Sequence, residues 1–406
     1  MRVVRNLDSL EKLILKRRAS KLTISERVAK IIKNVSEKGD DALLEYTRKF
    51  DKVRIFSREL RVSESEISAA FNELDSSLIS SFKTAIDNVT RFYKEQMPRS
   101  LRVKESNGKV LATRYVPLER VGVYIPAGTA PLVSSVYMSV IPATVAGVKE
   151  IVLVSPPSKD KRLNPFVLAV ASLLKIKNIY RAGGAQAIAA LAYGTKTIKK
   201  VDKIVGPGNE FVTEAKRQVF GEVDIDMLAG PSEIVILASQ GANLDYIVAD
   251  LEAQMEHRSG LGIVVTNSRK IIRGLRNKKV EGLALRVKNL EEGAKAINRI
   301  APEHLEVLTK KPALVLKNIK NAGAVFLGEY SPVALGDYTA GPSHVLPTAG
   351  SARFFSSLSV REFLKEIHIV SYTKKALVEE AAVLEKIANL EGMIKHIESV
   401  KKRISN

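Results

Sequence analysis

The chain has 406 residues, 45% of them hydrophobic, and carries 64 Lys and Arg against 44 Asp and Glu, a net charge of +20. That length exceeds what one small core supports and implies two or three folding units. The absence of cysteine excludes disulfides, thiolate metal sites and a cysteine nucleophile, and no apolar run approaches the roughly 18 residues that span a bilayer.

The N-terminus, Met1 to Lys16, is charged throughout and lacks the apolar stretch of a signal peptide, so a cytoplasmic location is expected. The lack of Cys and Trp beside many Lys, Arg, Glu and Ile resembles a heat-adapted composition. The basic residues fall in short groups such as Lys199-Lys200, Lys278-Lys279, Lys374-Lys375 and Lys401-Lys402-Arg403, with no aromatic interleaving. A solvated basic surface explains them better than a nucleic-acid footprint, and it also favours an anionic cofactor.

Thr23 and Glu26 form a capping-box pattern, and Val28, Ile31, Ile32 and Val35 follow at helical spacing up to Gly39, predicting a helix over 23–38. Helical pattern continues over 64–95. From residue 121 the chain alternates between strand, turn and helix. Strands are predicted at 121–125, 150–154, 178–181, 201–205 and 234–237, with helices at 132–146, 165–175, 187–193 and 210–219. This is the pattern of a doubly wound parallel sheet. A helix at 245–255, a strand at 263–266, a helix at 288–300 and a strand at 324–327 follow. Residues 331–357 read as a long loop rich in Gly, Pro and Ser, and such loops in compact domains are usually functional. Residues 376–402 read as a charged amphipathic helical tail, too thin for a core of its own. It must pack on the main body or on another subunit, which suggests dimerisation by tail exchange. No repeat of 20–50 residues is visible.

Three strand-to-helix turns are glycine-rich, at Gly128, Gly183-Gly184 and Gly206-Pro-Gly208. Glycines there let backbone N–H groups approach phosphates at helix N-termini, although none matches G-x-G-x-x-G. The five histidines are more pointed. Gln254 and His257 lie three apart on a predicted helix, so both share a face. A polar helix end explains this pair taken alone. Metal binding needs further donors, for which Asp337 and His396 are candidates. Glu303-His304 follows a proline near a helix end. An adjacent acid and imidazole can divide proton-transfer roles, and a capping His beside a surface Glu is the plainer alternative. His344 is a loop organiser or a site group, and His368 reads as the exposed position of an alternating strand.

Taken together, the motifs are similar to those of histidinol dehydrogenases. They comprise Val121-Gly-Val-Tyr-Ile-Pro-Ala-Gly-Thr-Ala-Pro-Leu132, Ala182-Gly-Gly-Ala-Gln-Ala-Ile-Ala-Ala190, Lys203-Ile-Val-Gly-Pro-Gly-Asn209 and Ala229-Gly-Pro-Ser-Glu233. Ala253-Gln-Met-Glu-His257, Ala301-Pro-Glu-His-Leu305, Leu335-Gly-Asp-Tyr338, His344-Val-Leu-Pro-Thr348, residues 354–360 and Glu391-Gly392 with His396 continue the set in order. The similarity runs from about residue 20 to the end.

The resemblance implies a zinc-dependent four-electron oxidation of L-histidinol to L-histidine through the aldehyde, with two NAD reduced, the last step of histidine biosynthesis. It implies that Gln254, His257, Asp337 and His396 bind zinc, which holds the substrate by its imidazole and amine. Ser232, His304 and Glu391 would also touch substrate. His304 would take the hydroxyl proton, and Glu303 would activate water for attack on the aldehyde. Tyr124, Gln186 and Asn209 would contact NAD. A homodimer is implied, with the tail supplying Glu391 and His396 across the interface.

The expected fold is α/β: two Rossmann-like doubly wound domains with small helical N- and C-terminal extensions. Residues 1–20 form the helical extension, 21–120 with 233–357 the first, discontinuous α/β domain, 121–232 the second, NAD-binding domain, and 358–406 the tail. Some positions depart from the family pattern. Ala127 stands where glycine is usual, Arg258-Ser259-Gly260 replaces a more acidic or smaller stretch, and 260–301 is shortened and basic at 269–279. None is an implied ligand. The rival readings are a basic nucleic-acid-binding protein and a divergent relative that oxidises another amino or sulfonated alcohol.

Overall fold

The computed structural model describes residues 1–18, 22–127, 132–257 and 259–405. The turn at Gly128 and the departure at Arg258 lie outside the described residues. The chain forms two compact units, Met1–Gln96 with Leu118–Phe363, and Met97–Pro117 with Leu364–Asn406. Among the described residues no helix is long and apolar enough to cross a membrane.

In chain order the strands are β1 (Arg2–Val4), β2 (Arg102–Lys104), β3 (Val110–Pro117), β4 (Arg120–Tyr124), β5 (Glu150–Ser155), β6 (Asn178–Arg181), β7 (Lys203–Val205), β8 (Asp224–Ile225), β9 (Glu233–Ala238), β10 (Leu261–Thr266), β11 (Leu283–Arg286), β12 (His304–Leu308), β13 (Ala324–Leu327) and β14 (Leu364–Ser371). The first unit holds two sheets, a five-stranded one ordered β6-β5-β4-β7-β8 and a six-stranded one ordered β1-β11-β10-β9-β12-β13. Every pairing in both is parallel. The α/β class is as expected.

Strands β9, β10 and β12 are buried over their full length. Their alternate residues serve opposite faces of the sheet, as the two-residue period requires. Val235, Leu237, Ile263 and Val265 enter one core, and Ile234, Ile236, Ala238 and Val264 the other. Burial on both faces requires the continuous apolar runs typical of parallel strands. Each such Leu or Ile contributes roughly 1.5–3 kcal/mol by leaving water.

The expected partition differs in three places. Residues 1–20 are more than a helical extension, because β1 pairs with β11 and Val4, Leu10 and Ile14 join the core of the six-stranded sheet. The helix Leu22–Lys38 begins one residue before Thr23 and turns Ile24, Val28, Ile31, Ile32 and Val35 into the core of the five-stranded sheet. Residues 22–60 therefore cover 121–223 and do not extend the 233–357 segment, since the apolar helical stripe binds the face that lacks a layer. Third, residues 97–117 pair with β14, in the second unit. Its antiparallel sheet is ordered β14-β3-β2, and the helices Lys374–Leu390 and Ile394–Ser405 complete it. Lys109 holds Glu380 at 2.8 Å. His368 is exposed on β14, as its alternation suggested.

Lys216 and Asp226 form a buried ion pair in the first unit. The ammonium also donates to the Gly206 carbonyl at 3.1 Å, and the Gly206 N–H donates to the other carboxylate oxygen at 2.8 Å. Gly206 has φ 113°, and a Cβ there would lie 2.2 Å from the Tyr124 carbonyl oxygen, so only glycine fits between the ends of β4 and β7. Lys216→Met leaves Asp226 buried without its countercharge. A loss of about 3–5 kcal/mol is expected, measured as a lower midpoint in urea unfolding; an unchanged midpoint would show that the pair holds nothing.

Candidate active site

Ser232, Glu303 and His304 gather at the amino ends of β9 and β12, which are neighbours with His304 opposite Ile234. The helix Leu290–Ile300 stops at Ala301 in the left-handed conformation, φ 50°. Pro302 follows, and Glu303 and His304 enter the sheet. Neither is a surface cap: Glu303 is 6% and His304 4% exposed.

The Glu303 carboxylate is held at one oxygen. Ser232 Oγ donates to Oε2 at 2.7 Å and the Glu233 N–H donates to it at 2.9 Å. Burial pushes the Glu303 pKa up to about 7, only partly offset by those two donors and by His257. His304 Nδ1 lies 3.2 Å from the Glu233 carbonyl and 3.5 Å from Glu303 Oε2. A carbonyl only accepts, so Nδ1 carries the proton and Nε2 the lone pair. Burial lowers the His304 pKa, against the pull of Asp337. The pair thus has an imidazole held neutral beside a carboxyl that ionises near neutrality.

Gln254, the buried last-turn residue of the helix Leu244–Met255, donates from Nε2 to Ser232 Oγ at 3.0 Å. That bond commits the amide nitrogen and leaves Oε1 as the donor atom for a cation. His257 is exposed just beyond this helix. Asp337 lies in the short helix Val333–Tyr338, half-buried, with its pKa raised by desolvation and lowered by His304 and His257. The three therefore share one electrostatic neighbourhood. An imidazole and a carboxylate are ordinary zinc ligands, and the Gln254 amide oxygen is a less usual third. Among the described residues no group of three His, Asp or Glu is drawn together as a metal site.

His344 gains a place that sequence reasoning left open. Its Nδ1–H donates to the Asp337 carbonyl at 3.0 Å, and Ser135 Oγ donates to Nε2 at 3.1 Å. Burial pushes its pKa down to about 4, so it stays neutral and holds the Asp337 backbone. Tyr137 OH donates to the Tyr338 carbonyl at 2.9 Å. Glu306, on the same face of β12 as His304, accepts the Val333 N–H at 3.0 Å and caps the start of that helix. Ser135, Tyr137 and Glu306 carried no sequence signal, because their partners are distant backbone groups.

The expected cofactor residues lie at the carboxyl edge of the five-stranded sheet. Tyr124 ends β4, is 3% exposed, and its OH accepts the Gly184 N–H at 3.1 Å. Gln186 is 1% exposed and its amide nitrogen has no partner among the described residues. Asn209 caps the helix Glu210–Val219 through Oδ1, leaving its NH2 for a ligand. An orphaned donor beside a glycine turn fits a dinucleotide in kind. Glu391 and His396 lie in the second unit, exposed, along an apolar groove with Leu384, Ile387 and Met393.

The sequence profile of the histidinol dehydrogenase family matches residues 15–404. This chain belongs to the histidinol dehydrogenase family. Histidinol dehydrogenase of Carboxydothermus hydrogenoformans is 44% identical over all of both chains, and that of Bacillus subtilis 45% identical over 98% of each. The crystal structure of histidinol dehydrogenase from Elizabethkingia anophelis superposes with a TM-score of 0.94 at 35% identity, covering 100% of this chain and 98% of that one. The family is one of oxidoreductases, and the α/β fold with its helical termini is shared with that structure.

Ser232→Ala removes a bond that lowers the Glu303 pKa. The carboxyl is then expected to titrate above its wild-type value of about 7, followed by carboxyl infrared absorption against pH. A titration that stays in place or moves down would contradict the assigned bond.

Proposed function

We propose that this chain oxidises L-histidinol to L-histidine through the aldehyde, reducing two NAD with zinc bound, as the last step of histidine biosynthesis. The observation that carries this reading is the buried Glu303–His304 pair, ionising in complementary directions beside Gln254, His257 and Asp337. Family membership supplies the substrate.

In the reading, Gln254, His257 and Asp337 hold zinc with His396 from the tail of a second copy. Bound zinc supplies a fixed positive charge that orients the substrate's imidazole and amine. His304 Nε2 accepts the hydroxyl proton as the carbinol carbon yields hydride to the first NAD. Its Nδ1–H stays on the Glu233 carbonyl, which keeps the ring aimed as charge develops. Glu303, ionised above about pH 7, then takes a proton from water through its unbonded oxygen while the water oxygen attacks the aldehyde carbon. The resulting gem-diol yields the second hydride to the second NAD and becomes the carboxylate. Overall, one alcohol and one water give one carboxylate, two NADH and three protons. Ser232, His304 and Glu391 contact the substrate, and Tyr124, Gln186 and Asn209 contact NAD.

A homodimer is supported by the tail. Val383 is 59%, Ile387 55% and Met393 48% exposed along the groove that carries Glu391 and His396. An apolar face of this kind calls for a covering partner.

Purified protein with zinc and L-histidinol is expected to form about two NADH per substrate, read at 340 nm, and to lose this with a chelator. No rise in absorbance with zinc present would overturn the reading. Sharing of sites has its own test. His304→Asn and His396→Ala homodimers should each be nearly inactive, and refolding them together should restore activity through one intact site per mixed dimer. Absence of restoration, with mixed dimers shown by mass spectrometry, would place each site within one chain.

A further inference from the structure

The two parallel sheets repeat one topology. The chain runs β4, β5, β6 outward and returns for β7 and β8; it runs β9, β10, β11 outward and returns for β12 and β13. The order reverses between β4 and β7 in one sheet and between β9 and β12 in the other. At such a reversal the connections leave on opposite faces and open a crevice at the carboxyl ends of the strands, where open α/β sheets bind ligands. In the five-stranded sheet that edge carries Tyr124, Gln186 and Asn209. In the six-stranded sheet the reaction uses the opposite, amino edge, and the equivalent crevice is left without a task.

That crevice is built. It encloses about 720 Å³ and is lined by Ser239 and Thr309, the residues that follow β9 and β12, with Lys310, Lys311, Leu290 and Leu314. Ser239 N–H donates to the Leu308 carbonyl at 3.1 Å and ties the two strand ends together. Lys310 lays its stem along the turn after β9, with its Cε 3.7 Å from where a Gly241 Cβ would stand. Neither Lys310 nor Lys311 has a carboxylate within ion-pair distance among the described residues. The one carboxylate on the wall, Glu291, is held by Lys295 at 2.9 Å. Among the described residues Thr309 Oγ1 is buried with no hydrogen-bond partner, as is Asn267 Oδ1 just past β10. Orphaned polar atoms at this edge match the orphaned Gln186 amide at the edge of the other sheet.

We infer that the crevice between β9 and β12 binds a nucleoside phosphate, with its phosphates on Lys310 and Lys311 and its base against Leu290 and Leu314. Two adjacent unpaired ammoniums recognise the anion, and the apolar wall takes the ring. The site is separate from the one that would hold NAD.

The test uses the zinc-loaded enzyme in saturating NAD, with labelled ADP as probe in equilibrium dialysis. One ADP per chain is expected to bind despite the NAD. Lys310→Glu with Lys311→Glu should weaken it about tenfold or more, the scale of one lost charge-assisted contact, and leave histidinol-dependent NAD reduction unchanged. Adenosine should bind at least as weakly as ADP does to the double variant. No ADP bound, ADP displaced by excess NAD, or binding that the double variant leaves intact would each overturn the inference. The histidinol-dependent NAD reduction assay on the same sample reports separately on the proposed reaction.

Discussion

A buried carboxyl group must find donors or give up its charge, and that constraint organises this molecule around Glu303. One oxygen collects the Ser232 hydroxyl and the Glu233 N–H. Because Ser232 spends its proton there, it can only accept from Gln254, which fixes which end of that amide faces outward. Because Glu233 N–H is committed, its carbonyl on the other side of the residue is placed to take His304 Nδ1–H. A single burial thus sets the tautomer of a histidine, the orientation of a glutamine and the alignment of two strand ends. Desolvation also raises the ionisation of the acid to about 7 and lowers that of the histidine, so the ring stays neutral and ready to accept a proton.

The support behind Asp337 shows the same economy. Its short helix is too brief to hold itself, so it is fastened from three sides. Glu306 caps its first turn, His344 grips the Asp337 carbonyl, and Tyr137 takes the Tyr338 carbonyl. Gly336 lets it press on Phe326, where a Cβ would come within 2.6 Å of the ring. A neutral His344 suits this task, since a charged imidazole could not accept from Ser135.

Much of this was legible in the residues. The long periodic helices and the strands β4, β5, β6 and β9 announced themselves, because apolar runs between glycine turns have few other solutions. The clusters around Gln254, Glu303 and Asp337 were visible as clusters. Less visible were β11 and β12, four or five residues long and buried on both faces, where no alternation survives. The basic stretch after Ser268 hid a helix, Arg269–Asn277, whose stripe is only Ile271, Ile272 and Leu275. Nor could local pattern say that residues 22–60 cover the five-stranded sheet or that 97–117 pair with β14, because the choice of face depends on what else is uncovered. The duplicated strand order left no sequence repeat, since a parallel strand asks only for apolar residues of suitable size.

The position of β1 has a consequence for how the chain is made. Met1 donates its terminal amine to Val280, 279 residues along, and Arg2 to Val4 run beside Leu283 to Leu285. β1 is therefore made long before β11, the strand it pairs with. Until residue 285 has emerged, the N-terminal segment has no partner; once β11 exists, it is an open edge until that segment returns. An open edge can pair with any passing strand, and closing so long a loop is slow. Trimming or tagging the first few residues acts on this step, and its cost would appear in the yield of folded chains and in aggregation during synthesis before it appeared in the chemistry at the far end of the sheet.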